Sequence, residues 1–216
     1  ARGEVCLTHG LSELLTRVER GERLLSSSSL VVVPEPPGKV TSAVVSFTGL
    51  VVVAADIDPD WVHAQIPAGD LSAPLNPPFL TALSEKLGRR VNCIDAVLLA
   101  ESVPGTPQIP LTQVDDADHP RVRRARRYRD EVCVWTTPGG VLILGRGLAR
   151  RWEAAIEVDE EARNRGLGRQ LAFAARQLVP KGAQVWVQIA PGNAASLRTF
   201  LAAGYRPVGA EALLVP

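Results

Sequence analysis

Arg163-Asn164-Arg165-Gly166-Leu167-Gly168-Arg169-Gln170 is the stretch on which the reading of this chain turns. It lies between an apolar run, Trp152 to Val158, and an apolar-periodic segment, Leu167 to Leu178. That order predicts a strand, a short acidic turn, a glycine pair and then a helix. The first turn of a helix carries backbone N–H groups without intrahelical partners, and the helix dipole adds partial positive charge there. Glycines at 166 and 168 keep Cβ atoms away from those donors, and either tolerates φ > 0. Arg163, Arg165 and Arg169 surround the turn with cations suited to phosphate. The pattern fits a phosphate cradle; a plain strand-to-helix turn with arginines on a solvated face would present the same residues.

Downstream residues narrow the choice. Arg163-x-x-Gly166-x-Gly168 resembles the pyrophosphate-binding motif of the GNAT superfamily (Gcn5-related, acetyl-CoA-dependent acetyltransferases), which runs Gln or Arg, two residues, Gly, one residue, Gly or Ala. The stretch from Asn193 to Tyr205 is similar to that family's second signature, an Asn-led helix closed by glycine and an aromatic. Ala183 to Ala190 reads as the strand the family places between them. The resemblance covers roughly residues 109 to 216.

Working outward, 216 residues suit one large domain or two small ones, and 46% hydrophobic residues suffice for a core. A net charge of +1 argues against a general nucleic-acid or membrane surface. Cys6, Cys93 and Cys133 are far apart, as are His9, His63 and His119, so neither a disulfide framework nor a metal site is expected. The apolar runs Leu30–Val33 and Leu50–Ala55 are too short to span a bilayer. No export signal is legible, and the expected location is the cytoplasm.

The N-terminal part, residues 1–108, reads as an α/β extension. A helix is predicted near 10–20, where Leu11, Leu14, Leu15 and Val18 share a face; a polar break at Ser26–Ser29 and a strand at Leu30–Val33 follow. A hairpin is expected over 41–57 with Thr48-Gly49 at its turn. Asp58-Pro59 opens a short helix, Phe79–Leu87 forms another ended by Gly88, and Val91–Ala100 is a buried-type strand. Pro104 to Pro110 reads as a linker and places the domain boundary there. Hairpin, helix and strand at 41–100 parallel those of 141–190, so a degenerate GNAT-like copy and an unrelated extension are both open.

In residues 109–216 the expected order is strand, helix, three antiparallel strands, helix, strand, helix, strand. The whole is an α/β protein with a mixed sheet, and the resemblance implies the GNAT acyltransferase fold for this half. The family usually has two helices before its second strand; only one fits here, at Arg121–Arg129. Six arginines in those nine residues invite a nucleic-acid reading, but a solvated helix face accounts for them better.

The resemblance also implies an activity: transfer of an acetyl group from acetyl-CoA directly to a primary amine, with no metal. The acceptor is not legible. The diphosphate falls to the backbone of Arg165, Gly166, Leu167, Gly168, Arg169 and Gln170. Free N–H groups near Ile156 and Val158 polarise the thioester carbonyl, and the pantetheine lies where that strand splays from 183–190. Asn193 matches the position that contacts the pantetheine, with Ser196 and Phe200 on the same helix. A lysine-like amine is only about 0.04% neutral at pH 7, and a carboxylate, directly or through water, is the usual remedy. Glu153 and Glu157 share one strand face and are the expected bases, Glu153 first. Phe200 stands where many members carry a tyrosine able to protonate the departing thiolate. That departure leaves a catalytically silent acyl-CoA-binding or regulatory module as the alternative.

Overall fold

The computed structural model describes residues 10–24, 29–115 and 118–216. Cys6, His9, Ser26–Ser28 and Asp116 therefore lie outside the described residues. The elements in chain order are α1 (Leu11–Glu19), β1 (Leu30–Val33), β2 (Ser42–Phe47), β3 (Leu50–Ala54), α2 (Pro59–Gln65), α3 (Pro77–Leu87), β4 (Arg90–Glu101) and β5 (Thr112–Val114). They continue with α4 (Pro120–Tyr128), β6 (Asp130–Thr137), β7 (Gly140–Arg146), β8 (Trp152–Val158), α5 (Leu167–Leu178), β9 (Gln184–Ile189), α6 (Ala194–Ala202) and β10 (Arg206–Val215).

Local chemistry sets most of the boundaries. Asp58 caps α2 by accepting the Asp60 N–H at 3.0 Å, with Pro59 at the first helical position. Gly88, at φ +61°, closes α3 in the left-handed conformation. Every residue of β3 is buried, as its unbroken apolar run requires. One helix, α4, lies between β5 and β6 among the described residues.

All ten strands form a single mixed sheet, ordered β1-β3-β2-β10-β4-β9-β8-β7-β6-β5. Helices cover both faces. Residues of α1 pack on one face with Val97, Leu99 and Trp186, and α4 covers Val134, Val141 and Ile143 farther along it. The opposite face buries α2 and α3 over β1–β3 and α5 and α6 over β7–β9.

Two features of the sheet were not in the sequence reading. The linker at 104–110 does not divide the sheet, because β4 lies between β9 and β10 and β10 lies between β4 and β2. Nor is the element order of 141–190 repeated in the pairing of 41–101. Strand β8 runs parallel beside β9, whereas β3 pairs with β1 and β2, and β4 is separated from it by β2 and β10. The N-terminal half therefore supplies a strand to the other half's sheet and does not copy its topology.

Candidate functional site

The turn from β8 into α5 is built by backbone geometry. Asn164 and Gly166 both have positive φ, +61° and +84°, reversing the chain just before α5 begins at Leu167. Gly166 is the N-cap, and no side chain caps the helix. The N–H groups of the first turn therefore remain open to an anion. A Cβ at Gly166 would meet nothing within 4 Å, so conformation is what requires glycine there. At Gly168 the reason is contact: a Cβ would sit 3.3 Å from Thr199 Cγ2 and 3.6 Å from Val158 Cγ2. This glycine seats α5 against α6 and β8. Arg163 folds back to donate to the Val158 carbonyl at 3.3 Å. Arg165 and Arg169 are exposed beside the turn, as is Gln170.

The adjoining strand opens the sheet. β7 pairs with β8 along its whole length, but β8 pairs with β9 only at Trp152↔Val185 and Glu153↔Trp186. From Ala154 to Val158 the β9 side of β8 has no strand partner. Ile156 and Val158 face the α5–α6 side and pack at its margin. Asn193 caps α6, its Oδ1 accepting the Ser196 N–H at 3.1 Å, which leaves its amide NH2 as the group able to donate. Phe200 is buried, set edge-on to Tyr205 with centroids 5.0 Å apart. It belongs to the core, and the expectation that it lines the cofactor site meets that burial. Tyr205 gives its hydroxyl to the Ala172 carbonyl at 3.1 Å, and burial pushes its pKa upward, so it does not substitute as an acid.

Where β8 and β9 part, side chains take over from backbone pairing. On the face opposite α5, Glu211 of β10, Asp95 of β4, Gln188 of β9 and Glu153 of β8 form a row across four strands. Gln188 bridges them, donating to Glu211 at 2.6 Å and to Glu153 at 3.3 Å. Arg151 pairs bidentately with Glu211, at 2.9 and 2.6 Å, and its Nε donates to Glu153 at 2.9 Å. Arg129 Nε and the Leu148 N–H also donate to Glu153, at 2.9 and 3.2 Å.

Glu153 thus accepts four hydrogen bonds while only 2% exposed. Burial works to raise its pKa, but Arg151 and Arg129 beside it hold the carboxyl below the ordinary range. That environment bears on the expectation that Glu153 is the base. Glu153 is a charged anchor with its lone pairs engaged, poorly suited to taking a proton. Glu157 shares its face, half-exposed, and is held down by a 2.5 Å hydrogen bond from Arg121.

Asp95 was not singled out from the sequence because it sits in the N-terminal half, on a strand expected to belong elsewhere. It is 9% exposed and makes no ion pair among the described residues. Burial, with repulsion from Glu211 and Glu153, pushes its carboxyl above the usual range against the opposing influence of Cys93 and Arg124.

Above this row lies α4, with Arg123, Arg124 and Arg127 exposed as a solvated face requires, and Arg121 and the C-cap Arg129 partly buried. Arg121 pairs with Glu157, Arg124 donates to Asn92 Oδ1 at 3.1 Å, and Arg129 reaches Glu153. Between the helix and the Glu153–Gln188 end of the row is a small cavity of about 70 Å³.

Residues 154–213 match the family model described as FR47-like protein. A GCN5-related N-acetyltransferase from Kribbella flavida aligns at 19% identity over 63% of each chain, with a TM-score of 0.38. Another GCN5-related N-acetyltransferase, from Sphaerobacter thermophilus, aligns at 14% identity over 62% of this chain and 54% of its own, with a TM-score of 0.39. The alignments thus span less than two thirds of either solved chain. No curated protein matches. The family match falls on β8 through β10 and bears out the resemblance of the C-terminal half to the GNAT superfamily.

Proposed function

We propose that this protein is an N-acetyltransferase that moves the acetyl group of acetyl-CoA to a primary amine. The observation that carries the reading is the parting of β8 from β9 after two residue pairs, directly beside the uncapped N-terminus of α5. An ordinary parallel pair has no reason to leave the β9-facing edge of Ala154–Val158 without a strand partner next to a free helix N-terminus.

The residues present fit the cofactor. First-turn N–H groups of α5, with Arg165 and Arg169 outside them, suit a diphosphate. Open backbone donors along Ala154–Val158 suit an extended amide-bearing arm and can polarise a carbonyl oxygen where charge develops. Asn193 retains an amide donor at the N-terminus of α6. Bound acetyl-CoA supplies the thioester: the amine nitrogen bonds the acyl carbon, the C–S bond breaks, and CoA leaves as its thiolate.

The amine's proton must go to the protein or to water. With Glu153 saturated, Asp95 is the carboxylate we assign to receive it: it lies in the same row beyond Gln188, buried and without an ion pair among the described residues, and its proton affinity is raised. Glu157 lies at the more open end. A phenolic acid is not needed on departure, because a thiol of pKa near 8.5 leaves as the anion.

Release of free thiol from acetyl-CoA across a panel of amines tests the reading. Amine-dependent release supports it. Saturable CoA binding without release from any amine would instead mark a silent acyl-CoA-binding module, the reading that the engaged Glu153 and buried Phe200 favour.

A further inference from the structure

The cavity beneath α4 has a composition that a general amine site would not need. Its charged lining is three arginines, Arg121, Arg124 and Arg129, against the single glutamate Glu153. Arg121 is balanced by Glu157 and Arg129 by Glu153. Arg124 makes no ion pair among the described residues; it is held by Asn92 Oδ1 and by the Tyr128 ring, whose centroid is 5.4 Å from its guanidinium carbon. Arg129 contributes a second anomaly. Its side chain is 11% exposed, and Nη1 is buried with no hydrogen-bond partner. A buried guanidinium N–H without an acceptor is costly, and such groups call for an explanation.

An incoming amine is cationic until it loses its proton, and this cation-rich lining repels it. An acceptor that brings its own negative charge reverses that balance and supplies the acceptor Arg129 lacks. Resting on the reading of this gap as an acyl-transfer site, we infer that the amine acceptor also carries a carboxylate, which docks against Arg124 and Arg129 beneath α4. The amine end then reaches toward the Gln188–Asp95 end of the row. Guanidinium forks match planar carboxylates in two-point contact. A cavity of about 70 Å³ takes a group of a few heavy atoms and not a large anionic headgroup. The class is therefore small amino acids, or a larger molecule presenting an amino-acid-like end.

The test uses the full chain with four matched acceptor classes: amino acids, their carboxamides, the parent amines without the carboxyl group, and aminoalkyl phosphates. The carboxylates should lead in kcat/KM by on the order of tenfold or more, the scale of one charged hydrogen bond. Arg124→Gln should raise KM for the carboxylates more than for the parent amines and leave KM for acetyl-CoA unchanged. Carboxamides or parent amines that serve as well as the acids overturn the inference, and phosphates that outrun carboxylates overturn the assignment of the anion. Where no amine is acetylated, melting scans with N-acetyl amino acids and their carboxamides decide. Stabilisation by the acids alone supports the anion site even though acyl transfer has failed, and equal or absent shifts overturn it.

Discussion

Replacing Glu153 by glutamine keeps its shape and removes the charge that Arg129 and Arg151 share. Breaking a buried pair from one side leaves uncompensated charge, so Glu153→Gln should destabilise the fold by about 3–5 kcal/mol, measured by urea unfolding at neutral pH. Because its folded pKa is lowered, its contribution is present above the unfolded value and lost as pH falls through the folded one. The wild-type advantage over the variant should therefore fade only in acid. Asp95 is the reverse case. With a raised folded pKa, its contribution is present at low pH and lost as pH rises through that value. Asp95→Asn should melt higher than wild type at neutral pH, and also transfer acetyl groups more slowly, with the rise of rate with pH altered. A variant that melts lower and retains an unchanged pH–rate profile would remove Asp95 from proton transfer. The shared face of Glu153 and Glu157 was legible from strand alternation alone. Their distant partners were not, since Arg129 lies 24 positions from Glu153 and Arg121 lies 36 from Glu157. Nothing in local pattern joins residues so far apart in sequence.

At the scale of elements, the cradle depends on how closely α5 sits on its neighbours. Gly168→Glu forces a side chain against Thr199 and Val158 and puts negative charge beside the free N–H groups. Acetyl-CoA at about 100 times its Kd should raise wild-type stability by about 2.7 kcal/mol, and the variant should lose that gain. Unchanged CoA binding would place the cradle elsewhere. The turn before β8 is equally tight: a Cβ at Gly147 would lie 2.1 Å from the Glu153 carboxyl carbon. Gly147→Ala should cost about 1–3 kcal/mol or more by overpacking, seen as a lowered urea midpoint. Helices and strands were readable because each carries its own periodicity and punctuation, as α1 does with Leu11, Leu14, Leu15 and Val18 and α3 with Gly88. The parting of β8 from β9 was expected only through family resemblance, because no residue in Ala154–Val158 encodes a missing neighbour.

The whole molecule is held together by exchange between halves. Residues 109–216 alone would keep β5 through β9 side by side, but β10 would have neither of its partners, β2 and β4. Such a fragment should show no cooperative melting transition by circular dichroism, and recovery of native-like melting would mean that β4 is dispensable. The proline-rich stretch between Ile57 and Phe79 contains Pro59, Pro67, Pro74, Pro77 and Pro78, each without an N–H donor. One CoA per chain is therefore expected in calorimetric titration, and two would locate a second cradle in the N-terminal half. The boundary at 108/109 looked natural in the sequence because Pro104 to Pro110 does form an irregular connection. Pairing across it depends on strand order, which composition does not record.

The position of β10 also bears on how the protein is made. A ribosome releases β2 and β4 early, yet in the finished sheet neither touches the other, and β10 alone lies between them. Until that strand emerges, β2 and β4 each offer an uncovered edge to any neighbouring chain. The sheet closes last at its middle, through contacts distant in sequence, which makes closure slow. The nascent chain is thus most exposed to misassembly just before synthesis reaches residues 206–215, the span that joins the two halves.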